Sequence, residues 1–369
     1  MNGVVTVAHV LAMHAGYRCR HAGVCCTEDW AIPVDADRHA HLTRALETRR
    51  LQPELPAAAW FERAGQSPAD DPVVVGRVGS SCAFFEPARG RLCAIHRQLG
   101  HDALPVACQH FPRVVVLDPR GLFVSLSHVC PTAGRLLTSE VAGTFHLVHE
   151  GDVLVPGLEW AGLDAREALP PQISDGVLWD WEGLTAWERL VLTALERQMP
   201  EPAIAGALSA ALTLEGWRPG SGHSLSDAVA AAFAAPSDSR LPLDIDELDA
   251  RARNAAPESG RHPAAPPDRQ RVDQALVAPA WDGLATLVSR YLAARVIASA
   301  VQHHSTRAGM LAGWLATAYS VLRTEAARHA AVAARRLDAE LLVAAAADAD
   351  RLLVHRIDAA LWVRAYQRL

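Results

Sequence analysis

All seven cysteines of this chain lie between Cys19 and Cys130, and the rest of its 369 residues contain none. A stretch that gathers thiols in this way must either bury them singly or bring them together. Cys19, Cys25 and Cys26 share a turn-forming segment with Gly23, and Cys82 and Cys93 bracket a second. Cys108 precedes Gln109-His110-Phe111-Pro112-Arg113, and Cys130 precedes Pro131. Thiolates are strong ligands for zinc and for iron-sulfur clusters, and cysteines on loops let several sulfurs meet at one point. Single burial is the competing account, because free cysteine is among the most buried residue types. The clustering and the adjacent Cys25-Cys26 pair favour a metal centre, with Cys19, Cys25, Cys26, Cys82, Cys93, Cys108 and Cys130 as candidate ligands. Seven thiols exceed the four a zinc site uses, whereas an iron-sulfur site leaves spares for a second cluster or for redox work, so iron-sulfur is expected ahead of zinc. The spacing is neither the paired knuckles of a zinc ribbon nor that of radical enzymes using S-adenosylmethionine.

Compartment and partners follow from composition. The start of the chain is mildly apolar but lacks the basic residues and small-residue cleavage site of a secretory signal, and no uninterrupted apolar run approaches the roughly 20 residues that span a bilayer. A cytoplasmic, reducing setting is expected, with no membrane partner, and there clustered thiols point to metal or redox chemistry instead of disulfides. The net charge of -6 and pI near 6.3 give no electrostatic footprint for nucleic acid. All 35 basic side chains counted as Lys or Arg are arginine. That excludes a Walker-type phosphate loop, Schiff-base catalysis and a lysine general base. Codon composition in a GC-rich genome explains it. The sharper alternative is an enzyme that acts on lysine and spares itself.

Half of the residues are apolar, enough for a sizeable core. The runs at 113–118 and 121–127, joined by Pro119-Arg120-Gly121, predict a hairpin. VVVGRV at 73–78 is a further short apolar run, and a short helix over 91–99 puts Cys93 and His96 one turn apart. Helical periodicity begins at 184–198 and resumes after Pro200. Long Ala-rich amphipathic helices are expected at 284–302, 307–329 and 330–367. The expected fold class is therefore mainly α, with a cysteine-rich, loop and short-strand N-terminal metal-binding domain and a helical-bundle C-terminal half. Its divisions are 1–145 for the metal-binding domain, 146–234 for connecting strands and first helices, 235–275 for a Pro/Ser-rich linker or loop, and 276–369 for the bundle.

Four ordered blocks carry a resemblance. Residues 19–26, CRHAGVCC, resemble the CxxCGxCC signature of cysteine-cluster proteins described as zinc- or iron-chelating, with Cys19, Gly23, Cys25 and Cys26 matching. Ala22 stands at the second cysteine position, where His21 beside it or a distant cysteine would have to substitute. CCTEDWAIPVD at 25–35, CAFFEPARGRLCAIHRQLG at 82–100, CQHFPR at 108–113 and SLSHVCPTAGRLL at 125–137 resemble the flagellin lysine-N-methylase family within that group, and the helical half resembles it weakly. The resemblance implies a cluster, 4Fe-4S in type, and S-adenosylmethionine-dependent methylation of an amine on a protein or peptide substrate. The chain lacks a glycine-rich strand-to-helix turn to cradle the methyl donor. A non-catalytic metal-binding or redox-sensing module with a protein partner is the alternative.

Among other side chains, His96 and His110 each lie within three residues of a cysteine and are candidate ligands or supports for ligands, or ordinary packing histidines. His303-His304 has nothing nearby to complete a site. Arg113 is the candidate cofactor-binding residue, able to grip a carboxylate, including a methyl donor's, or else to pin its turn through an ion pair. Trp30 and Asp35 match the second block but equally suit a core tryptophan and a turn aspartate. No residue qualifies as a catalytic base.

Overall fold

The structure, a computed structural model, describes residues 8–54, 59–63, 72–139, 145–149, 162–197, 199–235, 244–256, 266, 268–304 and 307–366. The hairpin forms where the β-branched runs predict it. Strands β2 (Arg113–Asp118) and β3 (Gly121–Leu126) pair antiparallel in continuous register from Arg113 opposite Leu126 to Asp118 opposite Gly121. Alternate residues face two apolar clusters, Val115 and Leu117 on one side and Val116 on the other, as the period of two in a strand requires. At the turn, Arg120 lies between Asp118 and Glu188, donating to both at 2.7 Å. Both carboxylates are buried, so the guanidinium fixes the hairpin to helix α2 (Trp181–Arg197), and removing it would leave buried charge uncompensated.

The expectation of loops and short strands beside a mainly α fold is corrected here. The hairpin is the centre of a five-stranded mixed sheet. Strand β1 (Ala8–Leu11) runs parallel to β3, β4 (Leu147–His149) runs antiparallel to β1, and β5 (Leu163–Asp164) runs parallel to β2. With about 57% of the chain helical, the architecture is a sheet joined to a large helical layer. The reason the sequence hid this is physical. Parallel pairing joins segments far apart in the chain, Ala8 to Leu122 and Val116 to Leu163, and strands of two to four residues carry no periodicity of their own.

The helices follow the expected periodicity, with shifted ends. After α2 come α3 (Pro200–Leu214), α4 (Leu225–Ala234), α5 (Ile245–Asn254), α6 (Ala285–Val296), α7 (Ala308–Ala333), α8 (Ala339–Leu353) and α9 (Ala359–Tyr366). α7 is buried on nearly every side, and its alanines allow α3, α5 and α8 to pack closely. It ends at Ala333, three residues beyond Ala330, the expected start of the next helix, and Ala334 after it turns into the left-handed region at φ 50°. The stretch expected to be a linker contains α5. Asp244 caps it by accepting from the Glu247 amide at 2.9 Å, acids fill its first turn and arginines its last. Arg253 on α5 bridges to Glu325 of α7 at 2.9 Å. The helical stretch 269–303 is long and apolar enough to cross a membrane by length and composition, and 61% of its most apolar window is buried within this fold.

One core joins the two halves. It runs from Leu11, Met13, Leu137 and Phe145 beside the sheet into the helices. A second cluster, with Ile32, Val34, Leu42, Phe84 and Ile95, underlies the cysteine-bearing loops and includes Cys26 and Cys82.

Candidate metal centre and its cavity

The Cys25-Cys26 turn is shaped by Gly23. Its φ of 72° lies in the left-handed region, and a Cβ there would come within 2.6 Å of the Arg91 carbonyl. Glycine therefore lets the turn of Val24–Cys26 lie directly on the segment carrying Cys93. That segment is a small ladder, Phe85 opposite Cys93 and Glu86 opposite Leu92, so the expected helix over 91–99 opens as a strand and becomes helical only at Ala94–Leu99. Arg97 of this helix grips the buried Glu86 carboxylate with two hydrogen bonds of 2.7 Å, bracing the ladder against the helix.

These elements bring four thiols into mutual reach. Cys25, Cys82 and Cys93 lie near enough to Cys26 to perturb its thiol. Those neighbours, with burial, hold its own proton far above the ordinary thiol range, whereas Cys26 draws Cys25 and Cys93 below it. Burial pushes Cys108 well up, and Cys93, Cys82 and Cys25 add to the effect.

The remaining two cysteines sit elsewhere. Cys130 contacts the Tyr17 hydroxyl at 3.6 Å, and burial raises the phenol far above its usual range. Arg113 spreads over the Tyr17 ring, 5.4 Å from its centre, and burial lowers the guanidinium's pKa. Cys19 is exposed, its sulfur accepting from the His21 amide at 3.4 Å.

All seven cysteines nevertheless line one cavity of about 620 Å³. Arg113 lines it too, as do His21, His96 and His101, whose rings meet in sequence at 4.6 Å, tilted, and 5.7 Å, edge-on. His110 is buried but does not line the cavity, and His303 ends a short helical turn against Gln302. Trp30 packs on Phe111 and His355, and Asp35 caps the helix Ala36–Glu47 by accepting from the Arg38 amide at 3.0 Å. Ala22 lines the cavity with Cys82 and Cys93, and the His21 ring lies 4.6 Å from that of His96.

Among the described residues, no group of three or more His, Cys, Asp or Glu side chains is set as it stands to hold a metal ion. In donor chemistry the residues do fit a thiolate-bound group. Cys26 and Cys82 are buried, Cys25, Cys82 and Cys93 lie near Cys26, and all of them line the cavity.

The end of α8 braces both cysteine loops. Arg351 grips Glu28 with bonds of 2.9 and 2.7 Å, and Arg356 reaches Asp29 at 2.9 Å, just after the Cys25-Cys26 turn. Asp350 accepts from the His128 amide at 2.6 Å and its Nδ1 at 2.9 Å, two residues before Cys130. Arg295 stands 3.3 Å from the same carboxylate, and His355 meets Ser127 at 2.8 Å. Sequence reasoning missed these supports, along with Tyr17, Arg18 and Arg91 in the cavity wall. Tyr17 and Arg18 flank Cys19 directly, the one signal available for them.

Fold and site together define an α/β protein with a thiol-lined cavity braced by a helical layer. No family model, curated protein or solved structure matches the chain. The likeness to flagellin lysine-N-methylases rests on its sequence blocks alone.

Proposed function

We propose that the protein carries a thiolate-bound metal centre, iron-sulfur ahead of zinc, on Cys25, Cys26, Cys82 and Cys93, with Cys108 beside them. The observation that carries this reading is the convergence of all seven cysteines on one cavity. When bound, an iron-sulfur cluster supplies electron-transfer capacity and ties together the loops that bear its ligands. The chain's own residues hold the sulfurs: the Gly23 turn presents Cys25 and Cys26, the 85–93 ladder presents Cys93, and Arg97–Glu86 keeps the ladder in place. All seven cysteines are free, which suits a reducing, cytoplasmic setting.

The cavity is the seat of a co-substrate. Its size lies within the range of about 300–1,000 Å³ typical of small-molecule sites. In its enzymatic form this reading is the one the four blocks imply, S-adenosylmethionine-dependent modification of an amine on a protein or peptide, with Arg113 gripping the donor's carboxylate. A non-catalytic metal-binding or redox-sensing module is the second reading, favoured by the closeness of Cys25, Cys82 and Cys93 to Cys26 in the wall of one cavity.

Iron, zinc and acid-labile sulfide should be quantified after anaerobic purification, with a visible spectrum. Iron and sulfide in equal amounts with a broad visible absorption are expected; stoichiometric zinc in a colourless sample overturns the metal choice. Incubation with labelled methyl donor and candidate acceptors separates the two readings, transfer supporting the enzyme and its absence, with reversible redox change, the module.

A further inference from the structure

We infer that the metal state of the Cys25-Cys26 turn sets the order of the C-terminal segment 351–366, which is fastened when the centre is filled and released when it is empty. The inference rests on the reading of these thiols as a metal centre, and adds what that centre regulates.

Three consecutive residues make the fastening. The Glu28 amide donates to the Val24 carbonyl at 3.1 Å, so Glu28 is tied into the turn that presents Cys25 and Cys26. From there Glu28 accepts two hydrogen bonds from Arg351, at 2.9 and 2.7 Å, and Asp29 accepts two from Arg356, at 2.9 and 3.1 Å. The Trp30 ring lies 4.7 Å from that of His355. All three partners fall between 351 and 356, although Glu28 and Arg351 are 323 residues apart in the chain. The same stretch holds the loop before Cys130, through Asp350 to the His128 amide and His355 to Ser127. One exposed ion pair contributes little. Glu28 is largely buried, however, and a two-pronged arginine–carboxylate contact fixes orientation as well as distance.

The segment is held unevenly along its length. Leu352 and Leu353 are buried in the common core, and Arg351 pairs with Asp348 of its own helix, so the end of α8 is firm. Beyond it the hold thins. α9 has eight residues, and a helix that short is not stable in water without packing. Among its described side chains Trp362 and Val363 are the buried ones, Trp362 meeting Trp314 edge-on at 5.1 Å, while Leu361 is exposed. The Asp358 amide reaches the Ala255 carbonyl at 3.2 Å. Segments with so few buried contacts open locally before the core does. A thiolate-bound metal orders the loops that carry its ligands, and so holds Glu28, Asp29 and Trp30 where the segment can grip them. Without it the turn loses that constraint, and the balance for 354–366 shifts toward the released state. Such coupling is reciprocal, so the fastened segment also steadies the thiols.

Hydrogen exchange read by mass spectrometry tests this on the anaerobically purified full chain, metal-loaded and chelator-stripped, with metal content measured in the same samples. Stripping should speed exchange of peptides covering 351–366 by about tenfold, while peptides from α3 and the middle of α7 keep their rates. The reverse direction is read in stripped protein carrying the double substitution Arg351→Gln/Arg356→Gln. Its Cys25 and Cys26 should alkylate about tenfold faster than in the unsubstituted chain, and Cys19 at the same rate. Thermal unfolding shows whether the variant is folded. If it is not, Glu28→Gln/Asp29→Asn cuts the same contacts from the other side and replaces it. The inference is overturned if peptides covering 24–30 respond to metal and those covering 351–366 do not, or if exchange speeds up throughout the chain. Unchanged Cys25 and Cys26 reactivity in a folded double variant overturns it equally. Metal binding without these responses sinks only this inference. A chain that takes up no metal sinks the metal reading and the trigger with it, and the alkylation rates then decide the mechanical link alone.

Discussion

At one end of the cavity Cys26 lies near Cys25, Cys82 and Cys93, with Cys108 beside them; at the other, Cys130 meets the Tyr17 hydroxyl at 3.6 Å and Cys19 is exposed. The first end is built on short local elements, a glycine turn and a two-rung ladder, seated on its own apolar cluster. The second hangs from the sheet and is held from below by α8. The same residue type thus stands in two settings, and packing separates them where spacing could not.

The largest effect should come from crossing the two ends. Cys26→Ser removes the sulfur that the other three share, and metal content should fall close to zero, with stability falling too because a thiolate-bound centre contributes folding energy. Cys19→Ser should leave metal content unchanged. Equal loss in both variants, read by metal analysis, would break the division.

The support of the Cys130 end comes next. Asp350→Ala strips Arg295 and His128 of their buried partner, and urea unfolding should show a loss of about 3–5 kcal/mol. Metal content at the far end should survive if the protein is kept below its unfolding range.

Acid should reveal the same carboxylate. Burial pushes Asp350 upward, but the Arg295 and His128 charges and the His128 hydrogen bonds outweigh it and hold its pKa at about 2, below the unfolded value of 3.8. A depressed acid stabilises the fold above pH 3.8, and that contribution disappears as pH falls through about 2. It amounts to roughly 2 kcal/mol. Unfolding free energy measured across pH 2–5 should lose this component in Asp350→Ala.

The smallest change is Tyr17→Phe, which removes the hydroxyl at Cys130 while keeping the ring beneath Arg113. A loss of about 1 kcal/mol in urea unfolding, with metal content untouched, is expected.

Local signals carried much of this molecule into view. The thiols, the 113–126 hairpin and helices such as α2 and α7 announce themselves by residue type or by period within a few turns. Strand β1 does not, because its partners β3 and β4 lie far along the chain and it has only four residues. α5 was masked by surrounding Pro and Ser, although Asp244 and its flanking charges are proper helix-end signals. The partition of the cysteines was beyond reach of the sequence, since it depends on Gly23 fitting under the Arg91 carbonyl. So was the cavity's wall, which gathers Arg18, Arg91 and Arg113 from three segments.

The central claim concerns which sulfurs hold the metal, and differential alkylation of metal-loaded and chelator-stripped protein, read by peptide mass spectrometry, tests it most directly. Cys25, Cys26, Cys82 and Cys93 should be protected by metal and become reactive on its removal, while Cys19 reacts equally in both. A labelling pattern that is the same with and without metal, or protection centred on Cys19 and Cys130, would contradict the account.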